Sequence, residues 1–98
     1  MEAAMDHILS RLKFQDFDRF WSTFTGPGAE HRRRHGSGGG RVFRSKEDPN
    51  EVWVLFDWDP EHFRAFLDDP DSKEIMAQAG LDGPPEARTV QEIGTVEA

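Results

Sequence analysis

The sequence predicts an α+β fold with the element order β-α-β-β-α-β, and three observations carry it. Period-two alternation marks the start of the chain, a central hairpin and the C-terminal stretch. Two longer segments carry aromatic stripes at helical spacing, each opened by an aspartate. A strand in the hairpin is apolar on both parities. The 98 residues are read as one domain spanning 1–98, because a chain of this length supports a single small core.

His7–Phe14 reads as the first strand, with Ile8, Leu12 and Phe14 on one parity and His7, Leu9, Arg11 and Lys13 on the wetter one. Asp16 stands where it caps a helix whose stripe is Phe17, Phe20, Trp21 and Phe24. Thr25-Gly26-Pro27-Gly28 interrupts it. Proline suits a first helical turn, so a break followed by a short helix Pro27–His35 is expected. Gly36-Ser37-Gly38-Gly39-Gly40 ends that helix, and without a Lys-Ser/Thr pair and a following helix it is no phosphate loop.

Arg41–Ser45 and Glu51–Trp58 form an antiparallel hairpin around Lys46-Glu47-Asp48-Pro49-Asn50. Its second strand has Val52, Val54, Phe56 and Trp58 on one parity and Trp53 and Leu55 on the other. Such a strand is covered on both faces. Helices in so small a chain cover only one, so Trp53 and Leu55 are expected to meet a second copy.

Asp59-Pro60-Glu61 opens the second long helix, with Phe63, Phe66 and Leu67 inward. Asp69-Pro70-Asp71 breaks it, and Ser72–Ala79 continues with Ile75, Met76 and Ala79 inward. Gly83-Pro84-Pro85 is a stiff connector to a last strand, Arg88–Val96, patterned by Val90, Ile93 and Val96. The order is that of a ferredoxin-like plait: a four-stranded antiparallel sheet with the helices on one face.

Composition narrows the chemistry. There is no cysteine and no tyrosine, which excludes disulfides, thiolate ligands, a thiol nucleophile and a phenolic acid or base. No apolar run nears the roughly 18 residues of a membrane span, and Met1–Arg11 lacks the basic-then-apolar layout of a secretion signal. A cytoplasmic protein with no membrane partner is expected. The formal charge is −7, and residues 47–98 carry three Lys/Arg against fourteen Asp/Glu. A net acidic chain is a poor match for a nucleic-acid backbone. The one basic run, Arg32-Arg33-Arg34, reads as a solvated last helical turn.

Gly40-Arg41-Val42-Phe43-Arg44-Ser45, Asp48-Pro49-Asn50-Glu51-Val52 and Phe56-Asp57-Trp58-Asp59 carry a resemblance, continued by Phe66-Leu67, Asp71–Glu74, Met76, Ala79-Gly80 and Gly83-Pro84-Pro85-Glu86. Over residues 7–96 the chain resembles the antibiotic-biosynthesis-monooxygenase-like branch of the dimeric α+β barrel superfamily. The resemblance implies two plaits pairing their sheets into one barrel, and hence a homodimer. It implies a small-molecule-binding protein, a cofactor-independent monooxygenase or cyclase acting on an aromatic, polyketide-like substrate. The haem-degrading members pair a helical Trp and a His with an Asn on the first strand. The matching positions are Phe66 and Met76, and His7–Phe14 has no Asn. Neither side chain replaces imidazole on iron, so no haem and no other cofactor is expected.

Phe20, Trp21, Phe24, Phe56 and Phe63 are the candidate ligand-binding residues. Aromatics of this kind build a core and a dimer seam, or they wall an apolar pocket for a flat ligand. The Gly26-Pro27-Gly28 break is a hinge that would admit one. His7 and His62 lie near element ends and are expected to be exposed. His31 and His35 are four apart, which is metal-ligand spacing, but no third ligand stands near them and no metal is expected. They are instead the candidate catalytic bases, with Arg32 or Arg34 stabilising an enolate or phenolate. That role requires His31 or His35 to face an enclosed cavity. The alternative is a non-catalytic dimeric module that binds a ligand or only assembles.

Overall fold

A computed structural model describes residues 6–98. Of Met1–Arg11, read above as lacking a secretion signal, residues 1–5 lie outside the described residues. The elements are β1 (Asp6–Lys13), α1 (Phe17–Thr25), α2 (Pro27–Arg34), β2 (Gly40–Arg44), β3 (Glu51–Asp57), α3 (Pro60–Asp68), α4 (Pro70–Gln78) and β4 (Glu86–Gln91). No helix among the described residues is long and apolar enough to cross a membrane.

Each expected long helix is a broken pair, and local chemistry makes the breaks. Asp16 accepts a hydrogen bond from the Arg19 amide at 2.8 Å, and Asp59 accepts from the Glu61 and His62 amides. Asp69 caps α4 through the Asp71 amide at 2.9 Å. Pro27, Pro60 and Pro70 occupy first helical positions, where the missing amide proton costs nothing.

The strands pair antiparallel in the order β2-β3-β1-β4. Ile8 lies opposite Phe56, and Leu12 opposite Val52, so one parity of the two central strands buries its apolar side chains beneath the helices. Phe20 closes this core from α1, stacked on Phe14 at 4.3 Å between ring centroids. The opposite sheet face carries no helix among the described residues. There Phe43 and Trp53 sit opposite each other, 50% and 41% exposed, with Leu9 and Leu55 half-buried beside them. Arg11 crosses the same face to Glu51 at 2.6 Å and Glu86 at 3.1 Å.

The structure corrects the last strand. Pairing ends where Gln91 meets Asp6, and Ile93 and Val96 are 94% and 96% exposed, so alternation continues in sequence beyond the last ladder partner among the described residues. Trp58 falls just after β3, and its indole donates to the His35 carbonyl oxygen at 2.9 Å. His7 is buried, against expectation, because β1 is a central strand that places it between Asp57 and Val90.

Candidate ligand cavity and the histidine cluster behind it

Helix α2 presents two faces to the rest of the chain. One reaches a cavity of about 70 Å³ between helices and sheet, walled by aromatic rings and closed below by Ser10 and Leu12. Arg32 brings a cation to it. Its Nη2 donates to the Phe24 carbonyl oxygen at 3.0 Å, and the guanidinium lies 4.1 Å from the Phe24 ring centroid and 5.6 Å from that of Phe56. Burial pushes its pKa down to about 10. No carboxylate among the described residues pairs with it. Ser10 and Thr23 are the other polar side chains of the lining. Gly28 makes the arrangement possible: a Cβ there would stand 2.9 Å from the Thr23 carbonyl oxygen and 3.2 Å from Arg32 Nη1. Leu67, Met76, Leu81 and Pro85 form a wall shared with an outer groove of about 550 Å³.

Phe20, Phe24, Phe56 and Phe63 line the cavity. Trp21 does not; it is 39% exposed and stacks on Phe17 at 5.7 Å. Arg32, Trp58 and Phe66 complete the lining and were not singled out from the sequence as ligand-binding. A signal for Arg32 existed in Gly28, which stands one helical turn before it and leaves that strip of α2 bare.

The second face of α2 holds the histidines. His31 Nε2 lies 2.8 Å from Ser72 Oγ, and both residues are buried. His35 Nε2 lies 2.9 Å from Asp69 Oδ2, and His31 Nε2 lies 3.5 Å from the same oxygen. The two rings meet edge to face at 5.0 Å, and Phe66 packs on both, at 5.4 and 5.8 Å. The His35 hydrogen bond, then the Asp71 amide, hold the Asp69 carboxyl below the usual carboxylate range. His31 and His35 therefore stand behind the cavity wall, joined to Ser72 and Asp69 rather than facing the cavity. The third donor that the neighbouring sequence lacks is Asp69: the fold brings its oxygen and the two imidazole nitrogens within 4.8 Å of one another. His62 is exposed as expected, its Nδ1 2.9 Å from Asp59.

No protein-family model and no curated protein matches the chain. Solved structures do. SnoaB, a cofactor-independent oxygenase from Streptomyces nogalater, aligns with a TM-score of 0.74 at 19% identity, covering 98% of this chain and all of that one. A monooxygenase from the gene ActVA-Orf6 of Streptomyces coelicolor, in complex with nanaomycin D, aligns at 0.64 and 19% identity over 97% and 93% of the two chains. A nipsnap family protein of unknown function from Agrobacterium tumefaciens aligns at 0.68 and 14% identity, over 94% and 91%. At such identities the likeness is one of fold, and the chain has the antibiotic-biosynthesis-monooxygenase-like α+β fold.

Proposed function

We propose that this protein binds a flat, largely apolar molecule bearing an anionic oxygen, and oxygenates it without a cofactor. The observation that carries the reading is Arg32, a partly desolvated cation with no carboxylate partner among the described residues, in the lining of an otherwise largely apolar cavity. A buried charge without a counter-ion is costly, and an anionic ligand supplies the counter-ion. The inner space has room for roughly five waters, about one ring. The rest of a polycyclic ligand would lie beyond Leu67, Met76, Leu81 and Pro85, in the outer groove.

The class of activity comes from the neighbours, a cofactor-independent oxygenase and a monooxygenase holding nanaomycin D. The substrate class is an aromatic, polyketide-like compound with an acidic methylene between two aryl rings, conjugated through them to a carbonyl group. Transfer of a methylene proton to water gives an enolate, which Arg32 stabilises. The enolate transfers an electron to dioxygen, the radical pair joins as a carbon–oxygen bond, and the peroxide anion takes a proton back from water. Loss of water from the resulting hydroperoxide leaves a ketone. One dioxygen converts one CH₂ into one C=O and one water. His31 and His35 take no part in this step, since Phe66 stands between them and the cavity.

A hydroxyanthrone tests the proposal. The wild type should consume oxygen and form quinone faster than the probe oxidises alone, and Arg32→Met should fall to the spontaneous rate. Binding of the probe with no acceleration would overturn the oxygenase and favour the non-catalytic binding module. That second reading draws on the absence of imidazole and carboxylate from the cavity lining among the described residues.

The proposal includes a homodimer formed through the open sheet face, with Trp53 and Leu55 at the seam. The exposed Phe43–Trp53 pair supports it. An obligate pairing would bury more than about 2,000 Å² in total. Trp53→Asp should dissociate or unfold the protein, and sedimentation of the wild type as a monomer at micromolar concentration would remove the dimer.

A further inference from the structure

We infer that His31, His35 and Asp69 form a site for a divalent transition-metal ion of the zinc class, tying α2 to the start of α4. One ring nitrogen of each imidazole and one carboxylate oxygen all lie within 4.8 Å of one another, with Nε2 of His35 and His31 at 2.9 and 3.5 Å from Asp69 Oδ2. Bonds of about 2.0–2.1 Å in a tetrahedron place neighbouring ligand atoms about 3.4 Å apart. That spacing falls between the two separations to Asp69. The two histidines share one face of α2, and Asp69 is fixed independently, its other oxygen holding the Asp71 amide. Phe66 packs on both rings and limits their rotation, as an outer shell does in a metal site.

The donor set selects the ion. Two imidazoles and one carboxylate suit zinc, cobalt or nickel, whereas calcium and magnesium require more oxygen ligands. Ser72 Oγ, 2.8 Å from His31 Nε2, is the nearest further oxygen for a fourth position. A groove of about 370 Å³ reaches His31 from outside. Glu30, Asp71 and Glu74 line it, with Arg34 as its cation, paired to Glu30 at 3.0 Å. Its carboxylates outnumber that one cation, which favours entry of a divalent ion.

The test is a titration of the full chain, free of any affinity tag and stripped with a chelator, with Co²⁺ and then Zn²⁺. One Co²⁺ per chain should give the intense visible bands of tetrahedral coordination, and Zn²⁺ should abolish them. His35→Gln and Asp69→Asn should each weaken binding at least about 100-fold, beyond the loss of a supporting contact. His62→Gln, which removes the exposed His62–Asp59 pair, should leave binding unchanged. Asparagine keeps a capping oxygen at residue 69, and circular dichroism verifies that each variant is folded. Absence of tetrahedral bands, or equal binding by wild type and Asp69→Asn, would overturn the site. The hydroxyanthrone assay reads the cavity separately, so either proposal can fail without the other.

Discussion

The two faces of α2 carry neighbouring residues in opposite electrostatic circumstances. His31 and His35 reach polar partners supplied by another part of the chain, Ser72 and Asp69. Arg32, between them in sequence, reaches a largely apolar cavity, where among the described residues the Phe24 carbonyl oxygen and the Phe24 and Phe56 rings face its charge and no carboxylate does. The first face is polar and internally satisfied, so it holds helices together. The second leaves a cation to be satisfied from outside, which is the condition for binding an anion. Residue type did not distinguish the two faces. Partners did.

Phe66 separates the faces, so its removal should have the largest effect. It lines the cavity and touches both imidazole rings. Phe66→Ala should destabilise the protein by about 3–5 kcal/mol, the usual cost of deleting a buried aromatic ring. Urea denaturation at pH 7 measures it. A loss under about 1 kcal/mol would mean that the wall between the faces is not held by this ring.

Sequence reasoning reached the elements where local chemistry dictates them. Asp-Pro pairs at residues 59–60 and 69–70 and the Gly26-Pro27 break cap and divide the helices without help from distant residues. It also reached the doubly apolar β3, whose two parities are visible in seven residues. It failed where an assignment depends on a partner far along the chain. The His35–Asp69 contact spans 34 residues, so the histidine pair looked incomplete. The continued alternation at Ile93 and Val96 looked like strand, although a strand is defined by its neighbour. The Arg32-Arg33-Arg34 run looked uniformly solvated. Successive helical residues turn by about 100°, which takes Arg32 inward while Arg33 and Arg34 stay exposed.

Arg32→Met sharpens the contrast with an effect of intermediate size and opposite sign. Removing an unpaired, partly desolvated charge should stabilise the unliganded protein at pH 7, even though the hydrogen bond to Phe24 and the ring contact are lost. The expected gain is about 1–2 kcal/mol. Burial lowers the arginine pKa to about 10 in the folded protein, so above that value the unfolded chain, whose arginine is still protonated, binds more protons. Stability of the wild type therefore rises with pH relative to the variant, and the gap, full below about pH 10, closes above it. Parallel denaturation at pH 8 and pH 11 reads this change. A variant less stable than wild type at pH 8 would show that Arg32 is satisfied within the protein, like the histidines behind it.

The smallest effect is expected on the polar face. Ser72 is fully buried and its hydroxyl lies 2.8 Å from His31 Nε2, so Ser72→Ala removes one partner of a buried imidazole. A buried group left without any partner costs about 1–3 kcal/mol. His31 is not left in that state, because Asp69 Oδ2 already lies 3.5 Å from the same nitrogen and a small rotation brings it into hydrogen-bond range. The loss should therefore stay near about 1 kcal/mol, the net worth of one ordinary hydrogen bond. Thermal unfolding of Ser72→Ala and of Ser72→Ala/Asp69→Asn separates the contributions. The double variant should lose more than the sum of the single losses, since each residue covers for the other. Strict additivity would show that Ser72 and Asp69 serve different atoms, and the shared satisfaction assigned to this face would be wrong.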